Sequence, residues 1–156
     1  MNLYSLLDNT TILSNANVSD KEELLNLMID TLKEKVEDGQ LDEIRKSVFE
    51  RERIMSTGVG KSLAIPHGKV SFIDENLASF AILKEPIEFD SIDEKPVKMA
   101  FLLVGPEKKN SVHIKLLSRI SRLMNSVSFR DTLLACNSSD EILDVFEQEE
   151  MKYFGN

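Results

Sequence analysis

Apolar residues recur at helical spacing from Leu25 through Met28, Ile29, Leu32 and Val36, until Asp38-Gly39 interrupts the pattern. Ser19-Asp20-Lys21-Glu22 precedes them as a capping-box match, so an amphipathic helix is predicted there. Leu41, Ile44 and Val48 mark a second helix running through Glu50-Arg51-Glu52-Arg53, whose charges are expected beyond the apolar stripe. Ser56-Thr57-Gly58-Val59-Gly60 reads as a loop. Leu63 to Ile65, Ala78 to Leu83 and Val97 to Val104 read as strands, the last nearly continuous in apolar residues as buried strands are, and Gly105-Pro106 closes it. A long helix begins at Asn110 or Ser111, with Leu116, Leu117, Ile120, Leu123 and Met124 on one face and Lys115, Arg119 and Arg122 elsewhere. Ser128 is the predicted N-cap of a short helix through Leu134, and Ser138 that of a last helix carrying Ile142, Leu143 and Phe146.

Helices and strands thus alternate, which predicts an α/β sandwich: one domain over residues 1–156, with a mixed sheet flanked by helices on both faces. A chain of 156 residues, 42% hydrophobic, is long enough to bury such a core. Its net charge of −8 argues against nucleic acid and anionic membranes as partners. Runs such as Met99 to Val104 are too short to span a bilayer, and the amino terminus lacks a basic start followed by an apolar middle, so a cytoplasmic protein is expected, while a start at methionine favours a free-standing one. The one cysteine, Cys136, excludes an internal disulfide, fits a reducing compartment and is expected as a buried small hydrophobe. Met55, Met99 and Met124 are expected as core or edge filler.

Candidate chemistry concentrates in Leu63-Ala64-Ile65-Pro66-His67-Gly68. Pro66 fixes its own φ and biases Ile65 toward extended geometry, and Gly68 admits angles other residues avoid, so His67 is expected where the chain turns at a strand end. Two readings of His67 stand side by side. It can be a surface residue with one hydrogen bond, or a neutral imidazole that accepts and surrenders a phosphoryl group, provided cations or amides offset the oxygens. Only one other histidine exists, His113, in the first turn of the long helix, where unsatisfied amides favour an anion; the alternative is a partly buried structural residue. Glu50-Arg51-Glu52-Arg53 reads, on the residues alone, as a solvated face of mixed charges. Gly58-Val59-Gly60-Lys61-Ser62 imitates the end of a nucleotide-binding loop, but Met55 stands where the first glycine is needed and a strand follows instead of a helix. Two imidazoles without a cysteine pair also make a poor metal site.

Glu50-Arg51-Glu52, Ser56-Thr57-Gly58-Val59-Gly60 and Ala64-Ile65-Pro66-His67-Gly68, followed by Lys95-Pro96-Val97-Lys98 and His113-Ile114-Lys115-Leu116-Leu117, together resemble the enzyme IIA components of the sugar phosphotransferase system, of the fructose and mannitol class. The resemblance covers nearly the whole chain. It implies a phosphotransferase in which His67 receives the phosphoryl group through Nε2 from the small histidine-containing carrier protein, with His113 as partner histidine and Arg51 holding the phosphoryl oxygens. Gly58, Gly60, Pro66 and Gly68 then shape the surrounding loops. The group passes on to a cysteine of a sugar-specific IIB component, in support of uptake of fructose or a related sugar, with no metal, nucleotide or other cofactor and no insertion in the membrane. The class also includes nitrogen-related regulatory members, which act by phosphorylation-dependent binding to other proteins; they are the alternative.

Overall fold

A computed structural model describes residues 2–154. Helix α1 spans Lys21–Asp30 and is capped by Asp20, whose carboxylate accepts from the Glu23 N–H at 2.9 Å, one residue later than the expected box. It ends earlier than the apolar spacing implied. Thr31, β-branched and hydroxylated, returns its Oγ1–H to the Met28 carbonyl at 2.6 Å, and a single 3-10 turn over Lys33–Lys35 follows, keeping Leu32 buried. Asp38-Gly39, read as a stop, instead opens helix α2, Asp38–Ile54; the preceding Glu37 donates its N–H to Gln40 Oε1 at 3.1 Å. An acidic first turn suits the positive end of a helix, so the same residues signal a start.

On α2 the inward positions are Ile44, Val48 and Glu52. The four-residue step that lines up the first two carries a carboxylate onto the stripe, so Glu52 lies inside the apolar face and not beyond it. Its role emerges at the site.

Six strands form a mixed sheet: β1 Ile12–Ala16, β2 Gly58–Gly60, β3 Leu63–Ala64, β4 His67–Val70, β5 Leu77–Ile87 and β6 Val97–Pro106. Their order is β1-β5-β6-β3-β2, with β4 also on β6. Strand β5 is antiparallel to β6, whereas β1 on β5 and both β3 and β4 on β6 are parallel. The expected loop over Gly58 to Gly60 is therefore a short strand antiparallel to β3. Strands β1 and β4 were not expected: Ile12-Leu13-Ser14-Asn15-Ala16 is half polar because it pairs with one neighbour only, and β4 begins at the histidine itself.

Helix α3 spans Asn110–Met124, α4 Val127–Leu134 and α5 Ser139–Phe154. Ser126 caps α4 by accepting from Phe129 N–H at 3.2 Å, in place of Ser128. Alternation along β6 divides the core in two. Phe101 and Leu103 face α3, α4 and α5, where Phe80, Phe101, Phe129 and Phe146 pack edge to face or tilted with centroids 5.0 to 5.9 Å apart. Leu102 and Val104 face α1 and α2. Met99 and Met124 are buried, but Met55 is exposed and Cys136 only half-buried, against expectation, because both follow the last inward position of their helices.

The turn between β2 and β3 holds Lys61 and Ser62 at φ 58° and 62°, the left-handed pair a tight hairpin of this type requires. Glycine fits the second position without strain. Ser62→Gly is expected to raise stability by about 0.5–1 kcal/mol, read as a higher urea midpoint at unchanged slope. A lower midpoint would mean that the serine side chain stabilises the turn.

Candidate active site

The chain does not turn at Pro66. Strands β3 and β4 run along β6 in one continuous register, Leu63 opposite Met99 and His67 opposite Leu103, with the interruption at Ile65-Pro66 bridged by Leu103 N–H donating to the Pro66 carbonyl at 3.0 Å. His67 is thus the first residue of β4. Gly68 follows for lack of space and not for unusual angles: a Cβ there would lie 2.7 Å from Ser47 Oγ and 3.2 Å from the Val48 backbone. Ser47 in turn covers the open edge of β4, accepting from Lys69 N–H at 3.0 Å and donating to the Lys69 carbonyl at 2.9 Å.

The decisive contact is at the imidazole. His67 Nδ1 lies 2.9 Å from the Ile65 carbonyl oxygen. A carbonyl only accepts, so Nδ1 carries the hydrogen and the lone pair of the neutral ring belongs to Nε2. Burial, with the charges of Arg51 and Lys69, lowers the pKa of His67 below the usual imidazole value, against the opposing influence of the Ile65 bond and of Glu52. The ring is therefore neutral at pH 7, with one nitrogen available as nucleophile.

Three elements bring cations and a second imidazole to it. From the last turn of α2, Arg51 donates to the Met55 carbonyl at 2.8 Å and lines the recesses on both sides of His67. From β4, Lys69 reaches the first residue of α3 through Nζ to Asn110 Oδ1, 2.6 Å. From α3, His113 places its ring 5.8 Å from that of His67, centroid to centroid, tilted by 54°. His113 is buried, and neither ring nitrogen has a hydrogen-bond partner among the described residues. Gly105 makes room for it: a Cβ there would collide with His113 Nδ1 and lie 2.7 Å from Asn76 Oδ1, another buried atom without a partner.

Burial, then the neighbouring His67 and Lys69, push the His113 pKa down to about 4. Between this value and the ordinary 6.5 the unfolded chain binds more protons than the folded one, so stability falls as pH drops through that window and is unaffected by this group above it. We expect His113→Phe to flatten the loss of stability between pH 7 and pH 4 by about 2–3 kcal/mol relative to the wild-type chain. Urea denaturation across pH measures it; parallel curves would show that His113 does not titrate in this way.

Two imidazoles, a guanidinium, an amine and the first turn of a helix converge, with Glu50 and Glu107 at the rim of this recess and Asp90 lining the groove on the other side of His67. Such a set offers charge complementarity and one nucleophilic nitrogen to a small anion. Among the described residues no group of His, Cys, Asp and Glu is arranged to hold a metal ion. The groove on the other side of His67, about 600 Å³, is apolar, lined by Met55, Val59, Ile65, Ile92 and Leu117, of which Met55, Val59 and Ile92 are exposed at 70%, 51% and 82%.

The sequence singled out His67, His113 and Arg51, and the fold assembles all three; Gly58 is pressed against Ser91, and Gly60 adopts φ 94° at the hairpin. Lys69, Asn76 and the buried Glu52 were missed. Alternation could have found Lys69, two residues past His67 on the same strand, and the four-residue step could have found Glu52.

The sequence model described as "Phosphoenolpyruvate-dependent sugar phosphotransferase system, EIIA 2" matches residues 5–149. The "PTS system fructose-specific EIIA component" of Haloferax volcanii is 33% identical over 81% of this chain and 80% of its own length. The "PTS system fructose-specific EIIABC component" of Bacillus subtilis is 29% identical over 96% of this chain, which spans 24% of that longer protein. In three dimensions the nitrogen regulatory protein IIA-Ntr from Neisseria meningitidis superposes with a TM-score of 0.86 at 27% identity, covering 92% of this chain and 98% of its own. Among the described residues no helix is long and apolar enough to cross a membrane.

Proposed function

Because the chain belongs to the EIIA 2 family of the phosphoenolpyruvate-dependent sugar phosphotransferase system, we propose that it is a phosphocarrier whose reacting atom is His67 Nε2. The observation that carries this reading is the bond from Nδ1–H to the Ile65 carbonyl, which leaves Nε2 as the nucleophile of a neutral ring. In the proposed step the Nε2 lone pair attacks the phosphorus of a phosphohistidine on a small carrier protein. The N–P bond of the donor breaks as the new one forms, its electron pair returns to the donor imidazole, and the Nδ1 proton stays on the Ile65 bond throughout. Little covalent activation is needed, so positioning and charge supply the catalysis. Arg51 and the first turn of α3 offset the oxygens, and His113, neutral at pH 7, orients the transferring group without adding charge.

The onward acceptor in this reading is a cysteine of a sugar-specific IIB component; the Bacillus subtilis relative, named EIIABC, supports it. Donor and acceptor take turns on one face, and the exposed Met55, Val59 and Ile92 beside His67 suit brief, modest interfaces that release each partner. The likeness to the IIA-Ntr structure favours a second reading, in which phosphorylation of the same histidine changes affinity for a regulatory partner.

Incubation with the phosphorylated carrier protein tests the proposal. We expect one acid-labile phosphate per chain, on His67 and at Nε2 by 31P and 15N NMR. Label on another residue overturns the assignment. Subsequent transfer to a IIB cysteine selects transport, and retention of the label in the presence of every IIB component selects regulation.

A further inference from the structure

Glu52 is buried, yet it belongs to neither the apolar core nor the proposed phosphoryl site. Its Oε2 accepts from Thr57 N–H at 2.8 Å, its Oε1 from Thr57 Oγ1–H at 2.5 Å, and Lys21 of α1 pairs with Oε2 at 2.8 Å. Thr57 is itself buried, and its carbonyl accepts from Ile65 N–H at 3.0 Å. The Ile65 carbonyl then accepts from His67 Nδ1–H at 2.9 Å. Each link is short, and Thr57 and Ile65 are each held by one bond through the N–H and another through the carbonyl, so the position of one residue constrains the next.

We infer that Glu52 is a positioning residue for the reacting histidine, acting through Thr57 and Ile65 to hold the His67 ring in the Nδ1–H tautomer and to fix its orientation. The inference rests on the proposal that His67 Nε2 is the phosphoryl acceptor. A carboxylate that orients an imidazole directly is a common device; here the carboxylate anchors Thr57, which pairs with Ile65, and the carbonyl of Ile65 orients the imidazole. Placing it there keeps its negative charge out of contact with the incoming phosphoryl oxygens, which a directly bonded carboxylate would repel. It also explains why a charged side chain occupies an apolar stripe on α2. With Glu52 drawn inward to Thr57, the preceding residue Arg51 is carried to the flank of the helix that lines the recess beside His67.

The N–H and the carbonyl of one residue belong to different peptide groups, so the relay is positional: loss of the first link lets Thr57 shift, and with it the Ile65 backbone whose carbonyl holds the ring. Glu52 lies near enough to act on the titration of His67, in opposition to Arg51 on the same helix and Lys69 on β4, while His113 faces the ring from α3. Removing the carboxylate therefore lowers the His67 pKa, and it loosens the bias between the two tautomers.

The test uses the whole unphosphorylated chain with 15N-labelled histidine. In the wild-type protein the His67 ring should show protonated-type Nδ1 and unprotonated-type Nε2 shifts at pH 7.5. Glu52→Gln should mix the two patterns, move the His67 titration midpoint down and slow phosphoryl acceptance roughly 10-fold, in the range typical of supports behind a reacting group. Thr57→Val, which keeps the N–H donor but loses the hydroxyl bond that helps hold the carboxylate, should mix the tautomer patterns and slow acceptance while leaving the midpoint near the wild-type value because the charge stays, and Thr57→Ser should restore both. Should Glu52→Gln fail to fold, the Thr57 pair decides alone. Folded variants whose ring shifts, midpoint and rate all match the wild type would overturn the inference and leave Glu52 as an anchor of the β2 segment. A wild-type ring in the Nδ1–H form that never accepts phosphate would sink the phosphocarrier reading while leaving the relay in place.

Discussion

His67→Gln is expected to reduce phosphoryl acceptance to background, a loss of at least about 10³-fold, while leaving the fold intact. The amide nitrogen of glutamine is not a nucleophile, because its lone pair is delocalised onto the carbonyl. Nothing else in the recess can replace the ring. His113 is the only other imidazole, and although its low pKa leaves it neutral, it is buried. Lys69 Nζ is engaged by Asn110 Oδ1 at 2.6 Å, and Arg51 is never a nucleophile. The fold should tolerate the change: His67 occupies the first position of a four-residue strand, is only half-buried and has one side-chain hydrogen bond, to Ile65. Glutamine fills a similar volume and can donate to the same carbonyl, so stability should change by less than about 1 kcal/mol. Phosphate incorporation, followed by mass change at neutral pH, and thermal unfolding of the same preparations separate the two effects. Residual label near the wild-type level in a folded variant would move the reacting atom elsewhere.

How far this site could be read before any fold was known differs from element to element, for physical reasons. The Leu-Ala-Ile-Pro-His-Gly run was legible because a proline and a glycine flank an imidazole, and each narrows what the backbone can do. Its local geometry was misjudged all the same. Pro66 interrupts the pairing of a strand that continues in register, a fact set by β6 and invisible from the run itself. Strand β6 was legible because both of its faces are buried, giving an unbroken apolar run. Strand β1 was not, because an edge strand with a half-polar sequence looks like a loop until β5 pairs with it. In the second half, α3 was placed by the spacing of its apolar face and α5 by its Ser138 cap, whereas α4 starts two residues before the expected position because Ser126, not Ser128, caps it. Glu52 shows the limit most clearly. Two neighbouring glutamates, Glu50 and Glu52, look alike in sequence, and only the phase of the helix separates an exposed one from a buried one that accepts two hydrogen bonds from Thr57.

Arg51→Ala should slow phosphoryl acceptance about 10²-fold, the cost typical of removing one preorganised group that offsets charge in the transition state, or about 2.7 kcal/mol in the barrier. Arg51 is suited to that role by position and by chemistry. It lies in the last turn of α2, half-buried, and its Nη1 is tied to the Met55 carbonyl, so part of the guanidinium is fixed while its remaining donors are available to an anion. Arg51→Lys should recover only part of the rate, since an ammonium keeps the charge but not the planar fork. The same substitutions give a second readout independent of any partner protein. Arg51 lowers the His67 pKa by disfavouring a second positive charge beside it, so its removal should raise the titration midpoint of His67, and Arg51→Lys should not. Stability should fall by less than about 1 kcal/mol, because the one bond lost is to an exposed carbonyl at a helix end. The two outcomes check each other. A slower reaction with a raised midpoint places the guanidinium at the imidazole during transfer. An unchanged midpoint and an unchanged rate would return Arg51 to the solvated face of α2 and leave the first turn of α3 and Lys69 to offset the phosphoryl charge alone.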